Sequence, residues 1–179
     1  YDQSVVHEYA YTKLDECFKA IESLTKFKKC QESIEPYARY EVLLRLKSLL
    51  ANKREQMAEL ITLETGKVIT ESLGEVDRAL VTVEIAAEEA KRINGQVVAA
   101  NSFGAKTDKV SMTMKCPLGL VLCITPFNFP LNLALHKIAP AYAAGNVILY
   151  KPSEHNYLSG KLLHELCLRA GMEDRSIKF

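Results

Sequence analysis

The sequence has almost no excess charge, because 23 basic and 22 acidic side chains leave a formal net charge of +1. Such a balance produces no strong field toward a nucleic-acid backbone or an anionic membrane surface, so neither is expected as a partner. The longest apolar stretch begins at Gly119 and ends at Ile124, far short of the roughly 20 residues that span a bilayer. A membrane-spanning helix is therefore not expected.

Several sequence motifs are also missing. Neither GxGxxG nor GxxxxGK[ST] occurs, which excludes both standard phosphate-binding loops. The five cysteines form no CxxC pair and no zinc-type spacing, so we expect no metal site and reduced thiols in a cytoplasmic compartment. Cys123 lies in an apolar run, where a thiol behaves as a small hydrophobe rather than a nucleophile. His136 fits a packed core histidine on a helix better than a base.

The two ends of the sequence also lack features. Residues 1–4, YDQS, do not have the pattern of a signal peptide, and because the initiator Met is missing we expect a trimmed or processed start. At the other end, residues 176–179 resemble the opening of a strand that has no covering helix after it. We therefore expect further sequence or a partner to complete the domain.

Apolar residues recur at spacings of three and four through the first half of the chain, which is typical of amphipathic helices. This period predicts four helices, over residues 13–24, 36–52, 53–66 and about 70–92. Pro36 suits the first position of the second helix. Asn52 and Glu55 are spaced as a capping box for the third, and Gly66 should end it.

After the turn signal at residues 94–95 the pattern changes to that of strands. Alternating apolar and polar residues at 97–98 and 110–114 predict an extended segment or a hairpin. Residues 120–124 and 147–150 are continuous apolar runs, as in parallel strands covered on both faces, and each precedes a predicted helix. The alternation of strand and helix predicts an α/β fold with a parallel sheet.

One unusual loop, TPFNFP at residues 125–130, directly follows the first apolar run. Ligands of open parallel sheets collect at the carboxyl ends of the strands, which favours a binding role for this loop. The flanking prolines and aromatic rings would hold Asn128 rigidly, and a fixed side-chain N–H suits the stabilisation of an oxyanion. Asn128 could instead cap the following helix, a common role for Asn, so the local sequence leaves both roles open.

A second unusual loop, KPSE at residues 151–154, follows the second apolar run. The Lys151 ammonium could donate hydrogen bonds to a ribose, and the Glu154 carboxylate could accept them from the 2′- and 3′-hydroxyls. A carboxylate there would repel a 2′-phosphate, which favours NAD over NADP. A solvated strand-to-helix turn that contains a proline explains the same residues, so this loop also keeps two interpretations.

Several motifs occur in an order that closely resembles the aldehyde dehydrogenase superfamily. They are LETGK at 63–67, GEVD at 74–77, LGL at 118–120, TPFNFPL at 125–131, KIAPA at 137–141, AGNV at 144–147 and KPSE at 151–154. The similarity extends from about residue 39 to residue 171. The resemblance implies the N-terminal portion of such an enzyme, with a Rossmann-like domain that has no glycine fingerprint.

This resemblance also implies roles for individual residues. Asn128 would help to form an oxyanion hole, and Lys151 and Glu154 would contact the adenosine ribose of NAD or NADP. The implied cofactor-binding set is Ile124, Thr125, Pro126, Phe127, Lys151, Ser153 and Glu154. The implied reaction is oxidation of an aldehyde to a carboxylic acid through a cysteine thiohemiacetal, with hydride transfer to the nicotinamide. The family's cysteine and base glutamate match no position here, so this chain alone is expected to be inactive.

The resemblance further implies three segments and an assembly. Residues 1–98 would be the helical part of the cofactor-binding domain, 99–117 the start of an oligomerisation sheet element, and 118–179 an incomplete βαβα unit of the Rossmann-like domain. Homodimers or homotetramers are expected. Two alternatives remain open: a short non-catalytic module for dinucleotide binding or oligomerisation, and a family branch that acylates coenzyme A.

Overall fold

The structure is a computed structural model that describes residues 5–99 and 109–179. The predictions for residues 1–4, and for residues 100–108 of the segment 99–117, lie outside the described residues. The helices are α1 (Leu14–Glu32), α2 (Pro36–Asn52), α3 (Arg54–Thr65), α4 (Ile69–Ala90), α5 (Pro130–Ala143) and α6 (Tyr157–Ala170). The strands are β1 (Val97–Val98), β2 (Ser111–Met112), β3 (Leu120–Ile124), β4 (Val147–Lys151) and β5 (Ile177–Lys178).

Local signals set most helix boundaries. Pro36 is the first residue of α2, as predicted, and Gly66 ends α3 in the left-handed conformation with φ of 72°. Helix α1 is longer than predicted, because Phe27 and Gln31 extend its buried face. The predicted capping box at Asn52 is wrong. Asn52 is the last residue of α2, since α3 follows after a break of one residue.

The strands form two sheets. β1 and β2 pair antiparallel, as the alternating pattern predicted, while β3, β4 and β5 form a parallel sheet in that order. The predicted α/β class with a parallel sheet is therefore confirmed. A 3₁₀ turn (Glu154–Asn156) connects β4 to α6. No helix of the described residues is long and apolar enough to cross a membrane.

One hydrophobic core joins the N-terminal helices to the sheet and its helices, since buried side chains of α2 and α4 belong to the same cluster as those of α5 and α6. The prediction that β3 is covered on both faces is wrong. Cys123 is fully buried, but Leu122 is 56% exposed and Ile124 is 51% exposed. The reason is tertiary: α5 packs on the face that carries Cys123, whereas α1 covers the opposite face only near Leu120.

Candidate functional site

The two unusual loops begin side by side at one edge of the parallel sheet. β3 and β4 are in register, so Ile124 pairs with Lys151. One residue further, the Thr125 N–H donates to the Lys151 carbonyl at 3.1 Å. The sequence-predicted residues of the two loops are thus brought to the carboxyl ends of adjacent strands. This is the edge of a parallel sheet at which ligands bind.

Asn128 is exposed and does not cap α5. The N-cap residue of α5 is Phe129, and no side chain of the cap residue bonds the helix. A carboxylate from α4 takes that place, because Glu75 Oε1 accepts the N–H of Leu131 at 3.0 Å and the N–H of Asn132 at 3.1 Å. The capping interpretation of Asn128 is therefore wrong, and its side-chain amide is not engaged in holding the helix end.

An ion pair between Lys67 and Glu75 supports the loop that carries Asn128. Glu75 is fully buried, and its Oε2 accepts from Lys67 Nζ at 3.0 Å. The same ammonium lies 3.9 Å from the centroid of the Phe129 ring, a cation–π contact. Phe129 directly follows Asn128, so these contacts restrict the backbone that carries the amide. Sequence reasoning noted the LETGK and GEVD motifs but missed that they meet here.

The start of the same loop is also held by α5. Lys137 Nζ donates to the Ile124 carbonyl at 2.6 Å. The loop is therefore attached at both ends, through Lys137 at its beginning and through Phe129 at its end. A loop restrained in this way keeps a donor in place before substrate arrives, which is the condition for electrostatic preorganisation.

The second loop presents opposite charges on one short turn. Lys151 and Glu154 are both exposed, and the Lys151 ammonium donates to the Pro152 carbonyl at 3.3 Å. Ser153 Oγ accepts the His155 N–H at 3.3 Å, which closes the turn before the 3₁₀ segment. An exposed ammonium and an exposed carboxylate three residues apart suit charge-assisted hydrogen bonds to a diol. This donor and this acceptor are together compatible with the hydroxyls of a ribose.

A second carboxylate from the N-terminal helices holds this turn. Glu64, near the end of α3, accepts the N–H of Leu158 at 2.5 Å and the N–H and hydroxyl of Ser159 at 3.2 and 2.5 Å. These groups are in the first turn of α6, which follows the KPSE loop after the 3₁₀ turn. Burial raises the pKa of Glu64, and the hydrogen bonds from Ser159 and Leu158 oppose that rise.

The raised pKa of Glu64 gives a testable pH dependence. The folded protein binds a proton at Glu64 more tightly than the unfolded chain does, so this contribution to stability is present below the ordinary pKa of 4.5 and is lost as the pH rises through the raised value. Glutamine does not titrate, so the Glu64→Gln variant does not lose this stabilisation as the pH rises. The free energy of unfolding, measured with urea from about pH 4 to pH 7, should therefore rise more steeply with pH than in the parent.

The exposed carboxylate of Glu22 provides a control of opposite sign. Lys26 lowers the pKa of Glu22, so its contribution is present above the ordinary value and is lost as the pH falls. Glu22→Gln should make the dependence on pH shallower. If the free energy of unfolding depends on pH in the same way in Glu64→Gln and in the parent, the raised pKa of Glu64 is contradicted.

The structure also shows the surroundings of Cys123 and His136, the two other residues considered for a chemical role. Burial raises the pKa of Cys123 to about 11, so this thiol stays protonated at neutral pH, as expected for a packed side chain. His136 was expected in the core, but it is exposed. It lies with Asn132 beside Thr82 of α4, whose hydroxyl donates to Asn132 Oδ1 at 3.0 Å. Within residues 5–99 and 109–179, no group of three or more His, Cys, Asp or Glu is arranged to hold a metal ion.

Comparison with known proteins agrees with this fold. A solved structure of glyceraldehyde-3-phosphate dehydrogenase from Methanocaldococcus jannaschii, complexed with NADP, superimposes with a TM-score of 0.89 and 31% identity. The match covers 99% of this chain and 38% of that chain. The architecture is thus that of the N-terminal, Rossmann-like portion of such dehydrogenases.

Sequence comparison then identifies the family. The model of the aldehyde dehydrogenase family matches residues 1–179. A sulfoacetaldehyde dehydrogenase of Neptuniibacter caesariensis is 41% identical over 178 residues, which are 99% of this chain and 39% of that protein. A 3-sulfolactaldehyde dehydrogenase of Priestia aryabhattai is 42% identical over 172 residues, which are 96% of this chain and 36% of that protein. The chain belongs to the aldehyde dehydrogenase family and spans less than two fifths of the length of these relatives.

Proposed function

We propose that this chain provides the oxyanion donor and the ribose-binding turn of an NAD(P)-dependent aldehyde dehydrogenase. The observation that carries the proposal is the register of β3 and β4, because it starts the Asn128 loop and the Lys151 turn at the same sheet edge. The carboxyl ends of adjacent parallel strands can place a donor for a developing oxyanion beside a charged turn that binds a ribose.

In this proposal each loop has its own role. Asn128 donates its side-chain N–H to the aldehyde oxygen as negative charge develops there, and the restraints on Phe129 and Ile124 keep the donor in position. Lys151 and Glu154 bind the adenosine ribose, while Ser153 keeps the turn closed. The cofactor, when bound, accepts the hydride. The remaining members of the cofactor-binding set are Ile124, at the end of β3, and Thr125, Pro126 and Phe127 of the first loop.

The nucleophilic cysteine and the base glutamate of the proposed reaction would come from other parts of the enzyme. Cys123 does not serve, because its thiol is buried and its pKa is raised to about 11. We therefore propose that this chain alone does not oxidise aldehydes. We also propose a cytoplasmic homodimer or homotetramer that is joined through the segment 99–117. The apolar side chains of Val97 and Val98, just before this segment, and of Met112, within it, are exposed.

For the substrate we propose a short, polar aldehyde. The relatives compared above act on sulfoacetaldehyde and 3-sulfolactaldehyde. In this chain, α5 begins two residues after Asn128 and carries Asn132 and His136 one turn apart, with Thr82 against them. Asn132 and His136 lie on the first turns of α5, close in sequence to the proposed oxyanion donor. A panel of sulfonated, hydroxylated and aliphatic aldehydes should therefore give the highest kcat/KM with the polar compounds.

The cofactor assignment has a direct test in the intact enzyme. Glu154→Gln keeps the size of the side chain but removes the charge that would repel a 2′-phosphate. The ratio of the Kd for NADP to the Kd for NAD, measured by calorimetry, should fall by about tenfold. A ratio equal to that of the parent would contradict the contact between Glu154 and the ribose.

Two alternatives are distinguished by product analysis. A branch that acylates coenzyme A would form a thioester only when coenzyme A is added, whereas the proposed enzyme forms the free acid in its absence. If the chain belongs to a non-catalytic module, the isolated intact polypeptide forms neither product.

A further inference from the structure

The N-terminal segment 5–13 crosses the turn that carries Glu154. The ring of Tyr9 stacks on the ring of Tyr157, with the centroids 4.4 Å apart and the planes 6° from parallel. The Tyr9 hydroxyl donates to the main-chain carbonyl of Glu154 at 2.6 Å. His7 also stacks on Tyr157, at 5.1 Å. Two ring contacts and one hydrogen bond thus attach a segment from the start of the chain to a turn about 145 residues later.

Tyr11 makes a different contact with the same turn. Its hydroxyl donates to Glu154 Oε2 at 3.1 Å, so it bonds the carboxylate itself rather than the backbone. This hydrogen bond, together with the negative charge of Glu154, raises the pKa of the Tyr11 phenol, which therefore remains a donor at neutral pH. A bond from a neutral hydroxyl to an ionised carboxylate is charge-assisted and stronger than a bond between neutral groups.

Such a bond matters because Glu154 is exposed. A free glutamate side chain samples many rotamers, and this freedom is lost when a ligand binds. The Tyr11 hydroxyl removes part of that freedom in advance, at one carboxylate oxygen. The other oxygen, Oε1, remains available as an acceptor.

We propose that Tyr11 is a positioning residue for the nucleotide: it orients the Glu154 carboxylate so that Oε1 meets a ribose hydroxyl. The inference rests on the proposed ribose contact of Glu154 and assigns a further determinant of the preference for NAD over NADP. Tyr9 and Tyr157 hold the segment in place, and Tyr11 acts on the carboxylate. A carboxylate fixed beside the 2′-position repels a 2′-phosphate more effectively than one that can rotate away.

The test compares Tyr11→Phe with the parent in the intact enzyme. Phenylalanine keeps the ring and removes the donor. Calorimetry should show a Kd for NAD that is higher by about 3- to 10-fold and a smaller change for NADP, so that the discrimination narrows. The kcat at saturating NAD should not change, because Tyr11 does not touch the aldehyde. Tyr37→Phe, at an exposed tyrosine of α2, is the matched control and should leave both Kd values as they are.

A double variant separates this inference from the assignment on which it rests. If Tyr11 acts through Glu154, Tyr11→Phe should have no further effect on either Kd in a Glu154→Gln background. If Glu154→Gln changes the discrimination but Tyr11→Phe does not, the inference fails and the ribose contact stands. If Glu154→Gln changes nothing, both fail. A tighter Kd for NAD in Tyr11→Phe would show that the tyrosine obstructs the site, and would overturn the proposal.

Discussion

Replacing Asn128 with alanine in the intact enzyme should lower kcat by a factor on the order of 10²–10³, because the proposed donor to the developing oxyanion is lost. The donor acts on the transition state more than on the bound cofactor, so the Kd for NAD should stay close to that of the parent. Steady-state kinetics, together with calorimetric titration of the cofactor, measure the two quantities separately.

The structure indicates that Asn128→Ala should affect catalysis without destabilising the fold. Glu75, not Asn128, caps α5, and the Asn128 side chain is exposed. Its removal should therefore change the free energy of unfolding by less than about 0.5 kcal/mol. Asn128→Asp serves as a second probe, since it keeps the shape, removes the donor and adds a repelling charge, and it should be at least as slow. A kcat within a few-fold of the parent in either variant would refute the oxyanion role.

Glu75→Ala should have the largest effect on stability, lowering the free energy of unfolding by about 3–5 kcal/mol. Glu75 is fully buried, and its removal leaves the Lys67 ammonium, which is only 16% exposed, without its partner. The N–H groups of Leu131 and Asn132 lose their acceptor in the same variant. Urea unfolding at neutral pH, followed by circular dichroism, provides the measurement.

Asp77, two residues further along α4, is the matched control. It forms a two-pronged ion pair with Arg54, but the side chains are 53% and 37% exposed. Asp77→Ala should therefore cost no more than about 1 kcal/mol. Equal losses for the two variants would show that burial of the Glu75 pair does not carry the stability assigned to it.

Much of the fold could be predicted because its signals are local. Pro36 begins a helix, and Gly66 and Gly171 end helices with φ of 72° and 109°, conformations that glycine adopts without strain. The covering of β3 could not be predicted, since an apolar run has the same composition whether one face or both are packed. Helix α1 was predicted too short for a related reason, because Gln31 is buried although it is polar.

The location of the candidate site could be predicted from the sequence, but the side-chain contacts that hold its loops in place could not. The loops at residues 125–130 and 151–154 follow apolar runs, so their place at the sheet edge follows from the fold class. The contacts of Glu64 and Glu75 join residues that are 94 and 56 positions apart, and no local pattern indicates such pairs. Their motifs were recognised as family features, whereas their function as helix caps required the three-dimensional structure.

The bend between α3 and α4 has a consequence for how the two halves of the site can vary. Glu64 stands just before Gly66 and reaches the first turn of α6, which follows the turn that carries Glu154, while Lys67 stands just after Gly66 and reaches the loop that carries Asn128. Four consecutive residues, 64–67, therefore contact both parts of the proposed site. A displacement of these residues would act on the proposed oxyanion donor and on the proposed ribose turn at the same time.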